Sequence, residues 1–246
     1  MISISVAFLL SLVVAAFATP WVRQRALNWG AVDDPARARK VHTAVIPRLG
    51  GLAIAGGFFA ALLTLLAFET GVARIFSEDV NRVIGLFGGA VAMLALGVYD
   101  DLLGANAKKK LLVQIASALG LCALGFGFER ISWPWGGTLE IGILGVPLTV
   151  FWVVGITNAI NLIDGLDGLA AGVSLFAVIT MCVVAVASGQ VVGALITAAL
   201  AGALVGFLFH NFHPATIFMG DTGSLFLGFV VAATGLMTSS KSTRWQ

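Results

Sequence analysis

The chain has 246 residues, 59% of them hydrophobic and only 11% charged, whereas a soluble domain carries about a quarter charged residues. A formal net charge of +2 excludes the broad basic field that nucleic-acid binding requires, so no nucleic-acid partner is expected. The two cysteines, Cys122 and Cys182, sit inside apolar runs. They have neither metal-site nor disulfide spacing and read as packing residues.

Crossing a bilayer takes about 20 mostly apolar residues. Eight stretches qualify in chain order: Ile2 to Trp21, Gly50 to Phe68, Val83 to Tyr99, Leu111 to Phe128, Ile143 to Ile160, Leu169 to Ala187, Val191 to Phe209, and Ser224 to Thr238. The expected fold is therefore all-α: a polytopic transmembrane helical bundle of about eight spans, forming a single integral membrane domain over residues 1–246. The first run is not a signal peptide, because its basic residues, Arg23 and Arg25, follow the apolar stretch instead of preceding it. It reads as a retained span.

Lys and Arg are unevenly shared between the connectors. Arg23, Arg25, Arg37, Arg39, Lys40 and Arg48 follow span one, and Lys108, Lys109 and Lys110 follow span three. The opposite connectors hold Arg74, Arg82 and Arg130, balanced by Glu69, Glu78, Asp79, Glu129 and Glu140. The positive-inside rule places the first set in the cytoplasm and the N-terminus outside. Seven of the eight aspartates then share the cytoplasmic side: Asp33, Asp34, Asp100, Asp101, Asp164, Asp167 and Asp221. So do all three histidines, His42, His210 and His213.

Four stretches at that face carry chemistry. In VHTAVIPRLGG, Val41 to Gly51, the nearby Lys40 and Arg48 could reach phosphate oxygens, although topology alone also explains them. Asp100 and Asp101 close an apolar helix in GVYDDLLG, where a charge at bilayer depth costs about 2.5 to 3.5 kcal/mol. They are either solvated loop acids or hard-oxygen ligands of the kind Mg²⁺ takes. In NAINLIDGLDGL, Asn158 to Leu169, the spacing of Asp164 and Asp167 puts both on one face if the stretch is helical, and Asn158 and Asn161 repeat it. Helix capping accounts for one such aspartate, not for four polar residues. In HPATIFMGDTGS, Asp221 stands among glycines before the last span, as an N-cap or a ligand; Phe218 is an interface anchor or a stacking platform.

Together these stretches, with NFHPATIFMGDTGS read as a unit, resemble the polyprenyl-phosphate N-acetylhexosamine-1-phosphate transferases of glycosyltransferase family 4 over roughly Arg39 to Gly228. The resemblance implies transfer of a sugar-1-phosphate from a UDP-N-acetylhexosamine to undecaprenyl phosphate, a membrane lipid. UMP is released and Mg²⁺ serves as cofactor, with Mn²⁺ as the alternative. By motif match Asp221 is the leading metal ligand. Asp100 and Asp101 would hold or deprotonate the lipid phosphate, and Asp164 and Asp167 would bind the nucleotide-sugar or a metal-bound phosphate. These four form the implied catalytic set. Asn211 and Phe218 match nucleotide-associated positions and Lys110 a basic position near the phosphates.

The wording of the last motif is closer to the branch using UDP-N-acetylglucosamine than to the phospho-N-acetylmuramoyl-pentapeptide transferases of peptidoglycan synthesis, the alternative. Either would be an early membrane step of cell-envelope glycan synthesis in the bacterial inner membrane, with a homodimer admitted. The family runs on into further spans and a histidine-rich loop. This sequence stops at LMTSSKSTRWQ, so the expectation is either a fragment or a shortened member, active or inactive on its own. A transporter is the rival of a different class, but it would place its charges near mid-bilayer and not at span ends.

Overall fold

The computed structural model describes residues 1–33, 46–68, 70–132 and 136–241. Among these residues nine α-helices follow one another: α1 (Ile2–Asn28), α2 (Gly51–Phe68), α3 (Thr70–Ser77), α4 (Val80–Leu103), α5 (Ala107–Ala123), α6 (Gly145–Ile163), α7 (Leu169–Ala187), α8 (Val191–Asn211) and α9 (Gly220–Lys241). Two antiparallel ribbons join them: β1 (Val32–Asp33) with β2 (Ile46–Pro47), and β3 (Arg130–Ser132) with β4 (Thr138–Glu140). The chain is thus a multi-pass helical membrane protein.

Among the described residues, seven helices are long and apolar enough to cross a membrane. The fourth expected span, Leu111 to Phe128, differs. It begins at Ala107, not Leu111, because Asn106 caps the helix by accepting from the Lys109 amide at 2.8 Å, which draws the lysine run into the first turn. At 17 residues α5 is about 25 Å long, against a hydrocarbon core of about 30 Å. It nevertheless runs the length of α4. Lys110 at its start meets Asp100 near the end of α4, and Gly125 just past its end accepts from Arg82 near the start of α4.

The core lies along α8 and α9. α8 is buried at every position from Val192 to Leu204, and it packs against α1, α2 and α7. Lipid gives apolar side chains no reason to leave it, so helices associate through close packing of small residues. α1 presents Ala7, Ser11, Ala15 and Thr19, all buried and four residues apart. Opposite them, a Cβ on Gly202 would lie 2.1 Å from the Phe8 carbonyl oxygen. Ser11 Oγ donates to the Ala199 carbonyl at 2.5 Å. Around α9 the packing is aromatic: Phe58 of α2 meets Phe226 edge-on at 5.7 Å and Phe87 of α4 at 6.3 Å. α9 is therefore gripped along its length by α2, α4 and α6. Its first turn comes to rest at the end of the bundle where α4 finishes and α5 begins.

Candidate active site

The first amides of a helix have no acceptor within the helix. At the start of α9 that need is met from another element. Asp101, on the last turn of α4, accepts from the Asp221 amide at 3.1 Å and the Thr222 amide at 2.9 Å, and from the Thr222 hydroxyl at 2.6 Å. The approach demands glycine on both sides. Gly220 holds φ at +70°, and a Cβ there would meet Asp101 Oδ2 at 2.5 Å. One turn before Asp101, a Cβ on Gly97 would fall 2.4 Å from the Asp221 carbonyl oxygen and from Thr222 Cα.

So anchored, Asp221 is held from two sides. The Lys110 ammonium of α5 pairs with its Oδ2 and, at 2.7 Å, with Asp100 Oδ2. Asn161 Nδ2 of α6 donates to its Oδ1 at 3.0 Å and to Ser224 Oγ at 2.8 Å. Asp100 also accepts from the Ala105 amide at 2.5 Å. Four elements thus deliver Asp100, Lys110, Asn161 and Asp221 to one spot.

Asp164 completes the group from the connector past α6. Among the described residues no donor or cation reaches its half-buried carboxylate. Burial first, and then the negative charges of Asp221 and Asp101, push its pKa up from the ordinary 3.8 to about 7. Between roughly pH 4 and 7 the folded chain holds a proton that the unfolded chain has released, so stability falls as pH rises through that window and levels off above it. Asp164→Asn removes this contribution. The variant is expected to melt with the wild type at pH 4 and above it at pH 8, and a difference in melting temperature that does not grow with pH contradicts the assignment.

Asp100 and Asp221 therefore share one ammonium, Asp164 stands beside them without a counter-charge, and Asp101 is committed to α9. As they stand, no three carboxylate, histidine or cysteine side chains among the described residues converge into a ready ligand set. The donors nonetheless suit a hard divalent cation, which typically takes one or two carboxylates and fills its octahedron with water and phosphate oxygens. The surplus negative charge around Asp164 gives such a cation its attraction.

Other expected site residues stand elsewhere. α6 ends at Ile163, so Asp164 and Asp167 are not on one helical face. Asp167 accepts from His213 Nδ1 at 2.9 Å and the Ala215 amide at 3.0 Å, tying the connector before α7 to the one before α9. Asn211 is buried and donates to the Ile217 carbonyl at 2.9 Å, so it shapes that same connector and faces no open space. Asn158 exchanges hydrogen bonds with Gln114 of α5, at 2.7 and 3.4 Å, one turn deeper than the cluster. Arg48 pairs with Asp33 across the first ribbon, where 13% of the Asp33 side chain is exposed. The half-buried Phe218 accepts from the Gly50 amide and donates to the Pro47 carbonyl through its backbone. Lys40 lies outside the described residues, as do Asp34 and His42.

Sequence reasoning missed Gln114, Thr222, Ser224 and Gly97. Gln114 did carry a signal, as an amide four residues after Lys110 inside an apolar run.

The family model of glycosyl transferase family 4 matches residues 83–239, a stretch that begins in α4 and holds every member of the cluster. The chain belongs to glycosyl transferase family 4. A probable undecaprenyl-phosphate N-acetylglucosaminyl 1-phosphate transferase of Bacillus subtilis (strain 168) is 43% identical over 98% of this chain and 65% of its own. The decaprenyl-phosphate N-acetylglucosaminephosphotransferase of Mycolicibacterium smegmatis is 39% identical over 90% and 56%. The phospho-N-acetylmuramoyl-pentapeptide-transferase of Staphylococcus carnosus is 31% identical over 96% and 75%. The chain thus spans less than two thirds of the length of the first two relatives.

Proposed function

We propose that this family 4 chain transfers N-acetylglucosamine-1-phosphate from UDP-N-acetylglucosamine to undecaprenyl phosphate, releasing UMP, at the cytoplasmic side of the bacterial inner membrane. The observation that carries the reading is the cluster of Asp100, Lys110, Asp164 and Asp221 at one end of the helical bundle. The greater identity to the N-acetylglucosaminyl relative than to the pentapeptide one supports the sugar. The cytoplasmic placement is supported by the basic connectors at the same end, where Arg23 donates to the Thr216 carbonyl just before α9.

Phosphoryl transfer asks mainly for positioning and charge neutralisation. A lipid phosphate oxygen attacks the phosphorus that bears the sugar, a new P–O bond forms, and the bond to UMP breaks with its oxygen leaving on UMP. A phosphate with a second pKa near 6 is largely ionised at pH 7, so the nucleophile needs little help from a base. Lys110 is the group that meets phosphate charge; Asp100 and Asp221 keep its ammonium in place. Asn161 orients Asp221. Mg²⁺, or Mn²⁺ in its stead, would be held by Asp221 and Asp164. When bound, it supplies neutralisation of diphosphate charge.

The test is UMP release by the purified chain with Mg²⁺, undecaprenyl phosphate and UDP-N-acetylglucosamine. Release is expected with this donor and is expected to be slower with UDP-N-acetylmuramoyl-pentapeptide. No UMP from either donor refutes the proposal, and the reverse order refutes the choice of sugar.

A further inference from the structure

The adjacent aspartates Asp100 and Asp101 look equivalent in sequence but are placed differently. Asp100 faces Lys110 and, through it, Asp221. Asp101 faces the backbone of α9: both its oxygens are taken by the Asp221 amide, the Thr222 amide and the Thr222 hydroxyl. Thr222 is fully buried, so its hydroxyl has no water to turn to and its bond to Asp101 is costly to lose. Contacts at Gly97 and Gly220 press the same two elements together. Three of the about four acceptor sites of this carboxylate are thus committed to the first turn of α9.

We propose that Asp101 is a positioning residue: it acts through Thr222 and the first turn of α9 to fix Asp221, and takes no part in handling the lipid phosphate. The two aspartates divide the work, Asp100 toward the reacting groups and Asp101 toward the scaffold. The inference rests on the proposed function only in supposing that Asp221 is the group that matters. Its chemistry is that of a cap supplied by a neighbouring helix, which sets where an anionic side chain stands relative to Lys110 and Asn161.

The experiment compares Asp101→Asn, Thr222→Val, Thr222→Ser and the double variant Asp101→Asn/Thr222→Val in the full chain, by Mn²⁺ affinity and by kcat and KM for UMP release. If Asp101 acts through Thr222, Asp101→Asn and Thr222→Val each weaken Mn²⁺ binding and lower kcat by about 3- to 30-fold with little change in KM for the lipid. Thr222→Ser keeps both donors and stays close to wild type, which separates the hydrogen bond from general disruption of the fold. The double variant is no worse than Asp101→Asn alone, because both changes break one unit. Losses that multiply in the double variant, or Thr222→Val behaving as wild type while Asp101→Asn loses activity about 10³-fold, overturn the proposal and return Asp101 to substrate. Mn²⁺ binding identical in Asp101→Asn and wild type overturns it whatever the rates show. A wild type that binds Mn²⁺ but releases no UMP refutes the proposed function alone, and the Mn²⁺ series then decides the role of Asp101.

Discussion

Asp221→Asn is expected to lower UMP release by about 10³-fold while leaving the melting temperature within a few degrees of wild type. The substitution is nearly isosteric, and the contacts that hold this residue survive it in large part. Asn161 can still donate to the remaining carbonyl oxygen, Asp101 still accepts from the backbone amide, and Lys110 keeps its bond to Asp100 at 2.7 Å. What disappears is one negative charge at the point where Lys110 and Asn161 converge. A divalent cation then loses the fixed carboxylate of its pair and is left with Asp164, whose burial still opposes its ionisation. Mn²⁺ affinity should fall together with the rate, and raised Mg²⁺ should recover only part of it. UMP release within a few-fold of wild type would remove Asp221 from the centre of the site. A rate loss with unchanged Mn²⁺ affinity would instead assign it a role toward substrate.

Much of this candidate site is legible in the amino-acid pattern. The apolar runs marked the crossings, because backbone in lipid must satisfy itself as helix, and the uneven lysines and arginines put the motif aspartates at one end. What the pattern did not hold is which backbone each carboxylate would meet. Asp100 and Asp101 are neighbours in sequence, yet about 100° apart around a helix, so one looks to α5 and the other to α9. The Asp164 and Asp167 spacing suggested a shared face only if the helix continued. It stops at Ile163, with Asp164 as its cap and Gly168 at φ +69°, so Asp164 stays beside Asp221 and Asp101 while Asp167 turns to His213 and the Ala215 amide. Asn158 was visible as a costly polar residue in an apolar run, but its partner Gln114 lies 44 positions away, beyond the reach of any local period. The pairing of Arg48 with Asp33 needs the short ribbon of β1 and β2, and strands of two residues leave no alternation to read.

Gly97→Ala should damage the site more than its fold, because the methyl group it adds to α4 meets the backbone of α9. The added carbon would stand 2.4 Å from the Asp221 carbonyl oxygen and from Thr222 Cα, and 2.5 Å from the Thr222 amide nitrogen. All three are backbone atoms of the first turn of α9, so no side chain can rotate aside. Either α4 and α9 separate or α9 shifts, and overpacking of this kind costs about 1 to 3 kcal/mol, which for a chain of this size lowers the melting temperature by several degrees. Gly88→Ala is the matched control: it lies on the same helix, and a Cβ there meets nothing within 4 Å. That variant should melt at or slightly above wild type, since alanine loses less backbone entropy than glycine. The effect on rate is expected to exceed the effect on stability. Gly97→Ala leaves every carboxylate and Lys110 in the sequence, but a shift of about 1 Å at the start of α9 moves Asp221 off both Lys110 and Asn161, enough for about a 10²-fold loss. Assayed well below its melting temperature, the variant separates position from composition. If Gly97→Ala matches Gly88→Ala in both melting temperature and UMP release, the close approach of α4 to α9 is not what holds Asp221 in place. If it retains its fold yet loses activity and Mn²⁺ affinity together, the geometry of that first turn is the quantity on which the site depends.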